Sequence, residues 1–147
     1  MLILKSFSLL FFLFSFLISH AQGLADYRWE SRMVLLIVED EELPVFKKEL
    51  MELMEDEKGL AERKLMIIQI TPKQSRILFS AGEKREINPS LYRQFKPTEN
   101  PFSFILVGLD GGVKLRTDEF VSRKYLYALI DGMPMRQAEM REKKNKN

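Results

Sequence analysis

The chain is predicted to be an α/β domain built around a mixed β-sheet. The run 33–38 is continuously apolar, and the runs 65–70 and 102–107 are apolar except for Gln69 and Ser103. All three have the length and character of strands that are buried on both faces. A segment with helical spacing separates the first two runs, and a glycine-rich turn follows the third. These observations predict a sheet that lies between helices and contains both parallel and antiparallel strand pairs.

The first helix is predicted directly after the first strand. Apolar residues recur there at helical spacing, on one face, at Phe46, Leu50, Leu53 and Met54. Pro44 suits the first turn of this helix, where its missing N–H costs nothing, and Gly59 is expected to end the helix. Because a helix joins them, the first two strands should be parallel, with a right-handed crossover.

Residues 39–42 are four consecutive acids between the first predicted strand and this helix. In α/β proteins, functional groups often sit where a strand ends. Because neighbouring side chains face different ways, these carboxylates cannot all bind one cation, and we expect them to stabilise the helix N-terminus. Weak Ca²⁺ binding and a carboxylate pair for glycoside hydrolysis are the alternatives.

The interval 73–101 carries the weakest signals. Residues 75–80 are expected to form a short strand or a loop, and a short helix is expected to begin at 88–90. The run 102–107 is followed by a glycine-rich turn and a returning strand over 113–116. That pattern predicts a β-hairpin, because such turns commonly join antiparallel strands.

The C-terminal part is expected to be helical. Asp118 is predicted to cap a helix, since its carboxylate can accept from the first amides. The inner face of this helix would hold Val121, Tyr125, Leu126 and Leu129. Pro134 is predicted to begin one or two further turns, and the basic residues 141–147 are expected to be a frayed, flexible tail.

The resulting order is β-α-β, an irregular segment with a short helix, and then β-β-α. This order predicts a thioredoxin-like three-layer sandwich with a mixed central sheet, a terminal hairpin and a C-terminal helix. A flavodoxin-like fragment and a ferredoxin-like sandwich are the alternatives, and the hairpin near the end favours the first of the three. Trp29, the only tryptophan, is expected to cover one edge of the core.

Residues 1–21 have the pattern of a secretory signal peptide. Their apolar segment is too short to span a bilayer comfortably, and the small residues Ser19 and Ala21 mark a cleavage site directly after it. We expect the mature domain to be 22–147, exported to the periplasm or secreted, with no stable membrane span after cleavage. An uncleaved N-terminal anchor is the alternative.

The composition excludes several kinds of chemistry. The chain has no cysteine, and its only histidine, His20, belongs to the predicted signal peptide. The mature chain therefore lacks the side chains for thiol redox chemistry, for Ser–His or Cys–His nucleophiles and for ordinary Zn or Cu sites. The formal net charge of +2 argues against nucleic acid as a partner. We expect no cofactor and no metal.

The segment LDGGVKLR, over 109–116, carries one set of candidate binding residues. It lacks the further residues of a phosphate-binding loop, and a tight turn explains both glycines. Lys114 and Arg116 lie two positions apart and therefore share a face of a strand. They could form a small anion site together with Asp110, or remain a solvated strand face.

The segment DGMPMRQAEM, over 131–140, carries the other set. Met133 and Met135 flank a proline, and Arg136 can pair with Glu139 on a helix, since the two are three positions apart. The methionines could dock on the core, or they could present a flexible apolar surface to a partner.

Four strings of the sequence together resemble a known family. They are WESR (29–32), AERKL (61–65), FILVGLDGGVKLR (104–116) and LIDGMPMRQAEM (129–140). They resemble a bacterial family catalogued only as a domain of unknown function. That family is similar to the P-DUDES domain of equarin and of sushi-repeat-containing extracellular proteins. The resemblance covers nearly all of 24–141 and implies a thioredoxin- and peroxiredoxin-like fold.

The resemblance marks a set of residues but implies no catalytic role for them. They are Trp29, Arg32, Arg63, Asp110, Gly111, Lys114, Arg116, Asp131, Met133, Pro134, Arg136 and Glu139. Charged side chains are rarely buried unless paired, so we expect several of these to meet in a partly buried ionic network. The network is expected to contain Arg32, Arg63, Asp110, Asp131, Arg136 and Glu139.

The leading functional hypothesis is a non-catalytic exported domain that binds a protein or another envelope or extracellular ligand. The candidate binding residues are Asp110, Lys114, Arg116, Met133, Met135 and Arg136. The alternative is a cysteine-independent enzyme, either a hydrolase or an atypical oxidoreductase, that uses Asp, Lys and Arg groups. A convergent acid–base pair in a deep pocket would favour the enzyme, and an apolar surface with both methionines would favour binding.

Overall fold

The structure, a computed structural model, describes residues 23–82, 87, 91–95 and 99–146. The predicted signal peptide over 1–21 and the predicted helix start at 88–90 lie outside the described residues. A 3-10 helix over Leu24–Tyr27 precedes the first strand. The further elements are β1 (Arg32–Val38), α1 (Pro44–Met54), α2 (Glu57–Glu62), β2 (Leu65–Ile70), β3 (Ser75–Ser80), α3 (Leu91–Phe95), β4 (Phe102–Val107), β5 (Val113–Thr117), α4 (Arg123–Asp131) and α5 (Pro134–Asn145).

Within the described residues, the strands form one five-stranded sheet in the order β3-β2-β1-β4-β5. β1 pairs with β2 in parallel, and the remaining neighbours pair antiparallel. The helical connection accounts for the parallel pair, whereas the turn after β4 brings β5 back beside it. The prediction of a thioredoxin-like α/β fold with parallel first strands is confirmed, and 75–80 form a strand rather than a loop.

The central strands β1, β2 and β4 are buried at every position, because both faces of the sheet are covered. Successive residues of a strand point to opposite faces, so each strand contributes to two cores. On one face, Val34 and Leu36 pack with Phe46 of α1 and Leu126 of α4. On the other face, alternate residues such as Leu35 pack with the 3-10 helix and α3. The result is a three-layer arrangement.

The sequence predicts that Gly59 ends the first helix, and this prediction is wrong. α1 ends at Met54, and Gly59 lies inside the separate short helix α2. Asp56 caps α2, because its Oδ1 accepts a hydrogen bond from the Gly59 amide at 2.9 Å. A Cβ at Gly59 would lie 2.1 Å from Asp56 Oδ2. Glycine is therefore explained here by the close approach of a capping side chain.

The predicted cap and face of α4 were also wrong in part. Ser122, not Asp118, is the capping residue, since its hydroxyl accepts from the Tyr125 amide at 3.3 Å. The Asp118 carboxylate instead accepts a hydrogen bond from Asn100 Nδ2. The helix turns Leu126 into the core and leaves Tyr125 54% exposed. The helix starts later than the sequence predicts, and its buried residues are Leu126 and Ile130.

α5 is longer than predicted and includes 141–145 of the expected tail. It has 12 residues, and Pro134 occupies its first turn, as the sequence predicts. None of the described helices is both long and apolar enough to cross a membrane.

Trp29 does not cover the core. Its side chain is 57% exposed, and the Arg28 guanidinium lies 5.2 Å from the ring centroid. Its φ of 70° is unusual for a bulky residue and stores backbone strain. The Trp29 amide donates to the Leu109 carbonyl at 2.7 Å, which ties this bend to the β4–β5 turn.

Candidate functional site

A cavity of about 310 Å³ lies between the β4–β5 turn and the start of α5. The turn forms one wall, α5 contributes an apolar wall, and the first residue of β1 contributes a buried arginine. The lining residues are Arg32, Gly108, Leu109, Asp110, Lys114, Met133, Pro134 and Met135. Segments that are far apart in the sequence therefore meet at this cavity.

Backbone hydrogen bonds hold the β4–β5 turn in shape. The Gly108 amide donates to the Gly112 carbonyl at 2.9 Å, and the Gly111 amide donates to the Gly108 carbonyl at 3.0 Å. Gly111 has a φ of +78°, a conformation that L side chains rarely adopt. A non-glycine residue at this position would strain the wall of the cavity.

Asp110 and Lys114 form an ion pair at the edge of the cavity. Lys114 Nζ donates to Asp110 Oδ2 at 2.7 Å, and the Gly112 amide donates to Oδ1 at 2.9 Å. These hydrogen bonds hold the pKa of Asp110 below its ordinary value, and the bond from Lys114 has the largest effect. Asp110 is therefore ionised at neutral pH and is a weak general base. The Lys114 ammonium has three donors, so it can bind a further acceptor.

The apolar wall comes from the start of α5. Met133 packs against the core, and its amide donates to the Ile130 carbonyl at 2.9 Å. Met135 is 41% exposed, whereas Leu109 on the facing turn is buried. Because methionine side chains are flexible and polarisable, this wall can adapt to the apolar part of a ligand.

Arg32 is the buried cation of the cavity, with only 1% of its surface exposed. Nη1 donates to the Arg63 carbonyl at 2.8 Å, and the two terminal nitrogens each donate to a carboxylate oxygen of Glu139 at 3.3 Å. Within the described residues, the Arg32 Nε is buried and has no hydrogen-bond partner. A buried polar atom without a partner is costly, and this one belongs to a residue that lines a cavity.

Arg32 is one member of an ionic network that lies behind the cavity. Arg63 Nη2 donates to Asp131 Oδ2 at 2.6 Å, and Arg136 Nε donates to Asp131 Oδ1 at 3.1 Å. Arg136 Nη1 also contacts Glu139 at 3.4 Å, and Lys64 Nζ lies 3.6 Å from the same carboxylate. The network therefore ties the end of α2 and the start of β1 to α4 and α5.

The charges of this network do not balance. Burial raises the pKa of Asp131, but hydrogen bonds from Arg63 and Arg136 outweigh burial and hold this pKa below its ordinary value. The carboxylates of its ion pairs are those of Asp131 and Glu139, and Asp56 also interacts with Arg63, whereas the cations are Arg32, Arg63, Arg136 and Lys64. The described network thus carries an excess of positive charge beside the cavity.

A family model described as "Domain of unknown function (DUF4174)" matches residues 23–139. The chain belongs to the DUF4174 family. The match includes the whole sheet and every residue that lines the cavity. No curated protein matches the chain. The family description assigns no activity, so the function of this DUF4174 domain has to be argued from its site.

The structure brings together only some of the predicted binding residues. Asp110, Lys114, Met133 and Met135 line the cavity. Arg116 lies further along β5, and its Nη1 donates to the Phe95 carbonyl at 3.5 Å. Arg136 belongs to the ionic network, where it also donates to the Glu62 carbonyl at 2.7 Å. Asp110, which was expected in that network, instead pairs with Lys114.

Sequence reasoning missed Glu49, a buried carboxyl of the DUF4174 domain. Glu49 is fully buried, and its Oε2 accepts from the Val121 amide at 2.8 Å. Burial, which outweighs that hydrogen bond, raises the pKa of Glu49 to about 7. Its spacing gave a signal, since Phe46, Glu49 and Leu53 are three and four positions apart and share the buried face of α1.

The acidic junction does not cap α1. Leu43 is the residue at the cap, and no side chain among the described residues makes a capping hydrogen bond there. Each acid has its own partner instead: Glu39 with Tyr92, Asp40 with the Glu42 amide, Glu41 with Arg76 and Glu42 with Lys47. The part of the chain that the structure describes also holds no group of three His, Cys, Asp or Glu side chains arranged for a metal ion.

Proposed function

We propose that this DUF4174 chain is an exported, non-catalytic binding module whose ligand occupies the cavity between the β4–β5 turn and α5. The observation that carries the proposal is the meeting of Asp110 and Lys114 with Met133 and Met135 in one cavity. An ion pair at the edge and a flexible apolar wall are what a small amphipathic ligand requires. Binding sites of this kind are concave, mostly apolar and furnished with a few polar groups.

The chemistry of the cavity supports binding rather than catalysis. Its carboxylate, Asp110, has a lowered pKa and a lysine partner, so proton abstraction by it is unfavourable. The carboxyl with a raised pKa, Glu49, bonds the backbone before α4 and does not line this cavity. The chain has no cysteine for the redox chemistry of thioredoxin-like proteins.

Export and kinship to the P-DUDES domain are further parts of the proposal. Export is supported by the apolar segment of residues 1–21 and the small residues at its end. The kinship rests on the four sequence strings quoted above and on the thioredoxin-like fold. An extracellular or periplasmic setting agrees with a binding module that needs no reduced thiols.

Methyl NMR on the purified protein tests the binding proposal. Four probes share a six-carbon chain and differ only in their head group: hexanoate, hexanamide, hexanol and hexylammonium. At least one probe should shift the methionine methyl signals of Met133 and Met135 in a saturable way. Met51, which is 67% exposed on α1, is the control and should not respond. If neither these probes nor a short peptide with an apolar C-terminal residue shifts the two cavity methionines, or if Met51 responds equally, the proposed site is wrong.

Fractionation tests the export proposal separately. The full-length chain with a C-terminal tag is expressed in a bacterial host, and the mass of the tagged product is measured in each fraction. We expect a product that begins at Gln22 in the periplasm or the medium. A product that retains residues 1–21 and stays in the cytosol would contradict export.

A further inference from the structure

We infer that the cavity is selective for a carboxylate joined to apolar carbon, with Lys114 and Arg32 as the groups that bind the carboxylate. The inference rests on the proposed binding function and adds the chemical class of the ligand. A short fatty acid and the apolar C-terminal residue of a peptide both present this chemistry. The argument follows from charge, from one unsatisfied donor and from the shape of the lining.

The charge beside the cavity favours an anion. Asp110 is already compensated by Lys114 at 2.7 Å, so the pair contributes little net charge. The ionic network behind it holds more cations than carboxylates, and its buried member Arg32 lines the cavity. A bound carboxylate would offset this excess, whereas an ammonium would add to it.

The unsatisfied donor of Arg32 is a second group that the anion can bind if this side chain shifts. The Arg32 side chain is 1% exposed, and Glu139 and the Arg63 carbonyl occupy its terminal nitrogens. Its Nε has no partner among the described residues, although an arginine has five N–H donors. The Nε is closed to solvent in this structure, so a carboxylate oxygen reaches it only when the Arg32 side chain shifts, and the bond then removes the cost of a buried, unpaired donor. Hydrogen bonds between ionised groups are also stronger than neutral ones.

The apolar part of the lining favours an apolar group at the end of the ligand away from the carboxylate. Leu109, Met133, Pro134 and Met135 offer apolar carbon and sulfur. An inorganic anion would leave these side chains uncovered, whereas an aliphatic chain would bury apolar area against them. The cavity volume of about 310 Å³ is at the small end for a ligand site, which suits a single short chain.

Comparison of hexanoate with hexanamide tests the inference, because the two differ in charge and hardly in shape. Titrations followed at the Met133 and Met135 methyls should give a dissociation constant roughly tenfold lower for hexanoate. A second arm uses N-acetyl-leucyl-leucine and its C-terminal amide. Charge selectivity in either pair supports the inference, and the pair that binds identifies the source of the carboxylate.

Two variants of β5 provide matched controls. Lys114→Gln removes the exposed cation of the cavity lining, and hexanoate binding should weaken roughly tenfold. Arg116→Gln removes another exposed cation two positions along the same strand, outside the described lining, and should leave binding unchanged. Arg32→Lys removes Nε and should also weaken binding. The melting curve of Arg32→Lys shows whether this variant is folded. If it is not folded, Lys114→Gln alone decides the inference.

The outcomes separate this inference from the proposed function. If hexanoate binds no tighter than hexanamide and the peptide binds no tighter than its C-terminal amide, carboxylate selectivity is wrong and the binding site itself remains supported. Equal effects of Lys114→Gln and Arg116→Gln would also overturn the assignment. If none of the hexyl probes and neither peptide binds, both proposals are wrong.

Discussion

Arg32 and Glu139 form a two-pronged ion pair that joins the first strand to the last helix across 107 positions of sequence. Each terminal nitrogen of Arg32 donates to one carboxylate oxygen at 3.3 Å. Arg32 is buried, whereas Glu139 keeps 19% of its side chain exposed. The terminal nitrogens of Arg32 belong to the ionic network, and the residue also lines the cavity. The stability of the fold and the binding of a ligand are therefore linked at this residue.

Glu139→Gln should destabilise the fold. The change removes the charge that compensates a buried guanidinium, although the Arg63 carbonyl still accepts from Arg32. We expect the free energy of unfolding to fall by about 2 kcal/mol, below the loss seen for fully buried pairs. Urea denaturation measures the change. Glu142→Gln, on an exposed turn of the same helix, is the control and should stay within about 0.5 kcal/mol of wild type. Equal urea midpoints for the two variants would contradict a structural role of the pair.

Arg136→Ala separates the two roles that the sequence left open for this residue. Arg136 donates to Asp131, to the Glu62 carbonyl and to Glu139, so its loss should lower the free energy of unfolding by about 2 kcal/mol. Because Arg136 is outside the described lining of the cavity, hexanoate should still bind, and the loss of this network cation should weaken binding less than Lys114→Gln does. Thermal melting and the methyl titration measure the two effects.

Arg141→Ala is the matched control for that variant, since Arg141 is exposed on the same helix. It should change neither the melting temperature nor binding. An Arg136→Ala protein that melts like wild type but no longer binds would show that the arginine contacts the ligand and that its network contacts are of little structural consequence.

The sheet could be predicted because its signal is local. Strands such as 33–38 are buried on both faces, and a continuous apolar run reports this burial directly. Helix ends were harder, because a cap is decided by one side-chain hydrogen bond. Asp118 and Ser122 are both good capping residues in isolation, and in the structure Ser122 caps the helix while Asp118 bonds to Asn100.

The site could be predicted only in pieces. The sequence singled out Asp110 and Lys114 in one segment and Met133 and Met135 in another. Neither segment has a pattern that predicts contact between the two segments in the fold. The place of Arg32 in the lining was also missed. A charge at the start of an apolar strand is normally solvated, and its burial depends on Glu139, which approaches only through the tertiary fold.

Substitutions at Trp29 should reveal backbone strain. The residue has a φ of 70°, which costs an L side chain roughly 1–2 kcal/mol and costs glycine little. Trp29→Gly should therefore be more stable than Trp29→Ala by about 1 kcal/mol, although glycine ordinarily destabilises. The two variants lack the same indole ring, so the comparison isolates the backbone. Urea midpoints measure the difference, and an alanine variant as stable as the glycine variant would show that the bend relaxes when the ring is removed.

Glu49 should make the stability of the domain depend on pH near neutrality. Its pKa in the folded protein is about 7, against an ordinary value of 4.5, because burial disfavours the carboxylate. The folded state therefore holds this proton more tightly than the unfolded chain. The corresponding stabilisation is fully present below about pH 4.5 and is lost as the pH rises through 7.

We accordingly expect the free energy of unfolding to fall by about 2 kcal/mol between pH 5 and pH 8. The described domain has no histidine that would titrate in this range, since His20 is the only one in the chain. Glu49→Gln keeps an acceptor for the Val121 amide but cannot ionise, so its stability should be nearly independent of pH over the same range. Glu142→Gln, which removes an exposed carboxylate, should keep the slope of wild type. Urea denaturation at pH 5, 6, 7 and 8 gives the three slopes, and a Glu49→Gln slope as steep as that of wild type would assign the pH dependence to other groups.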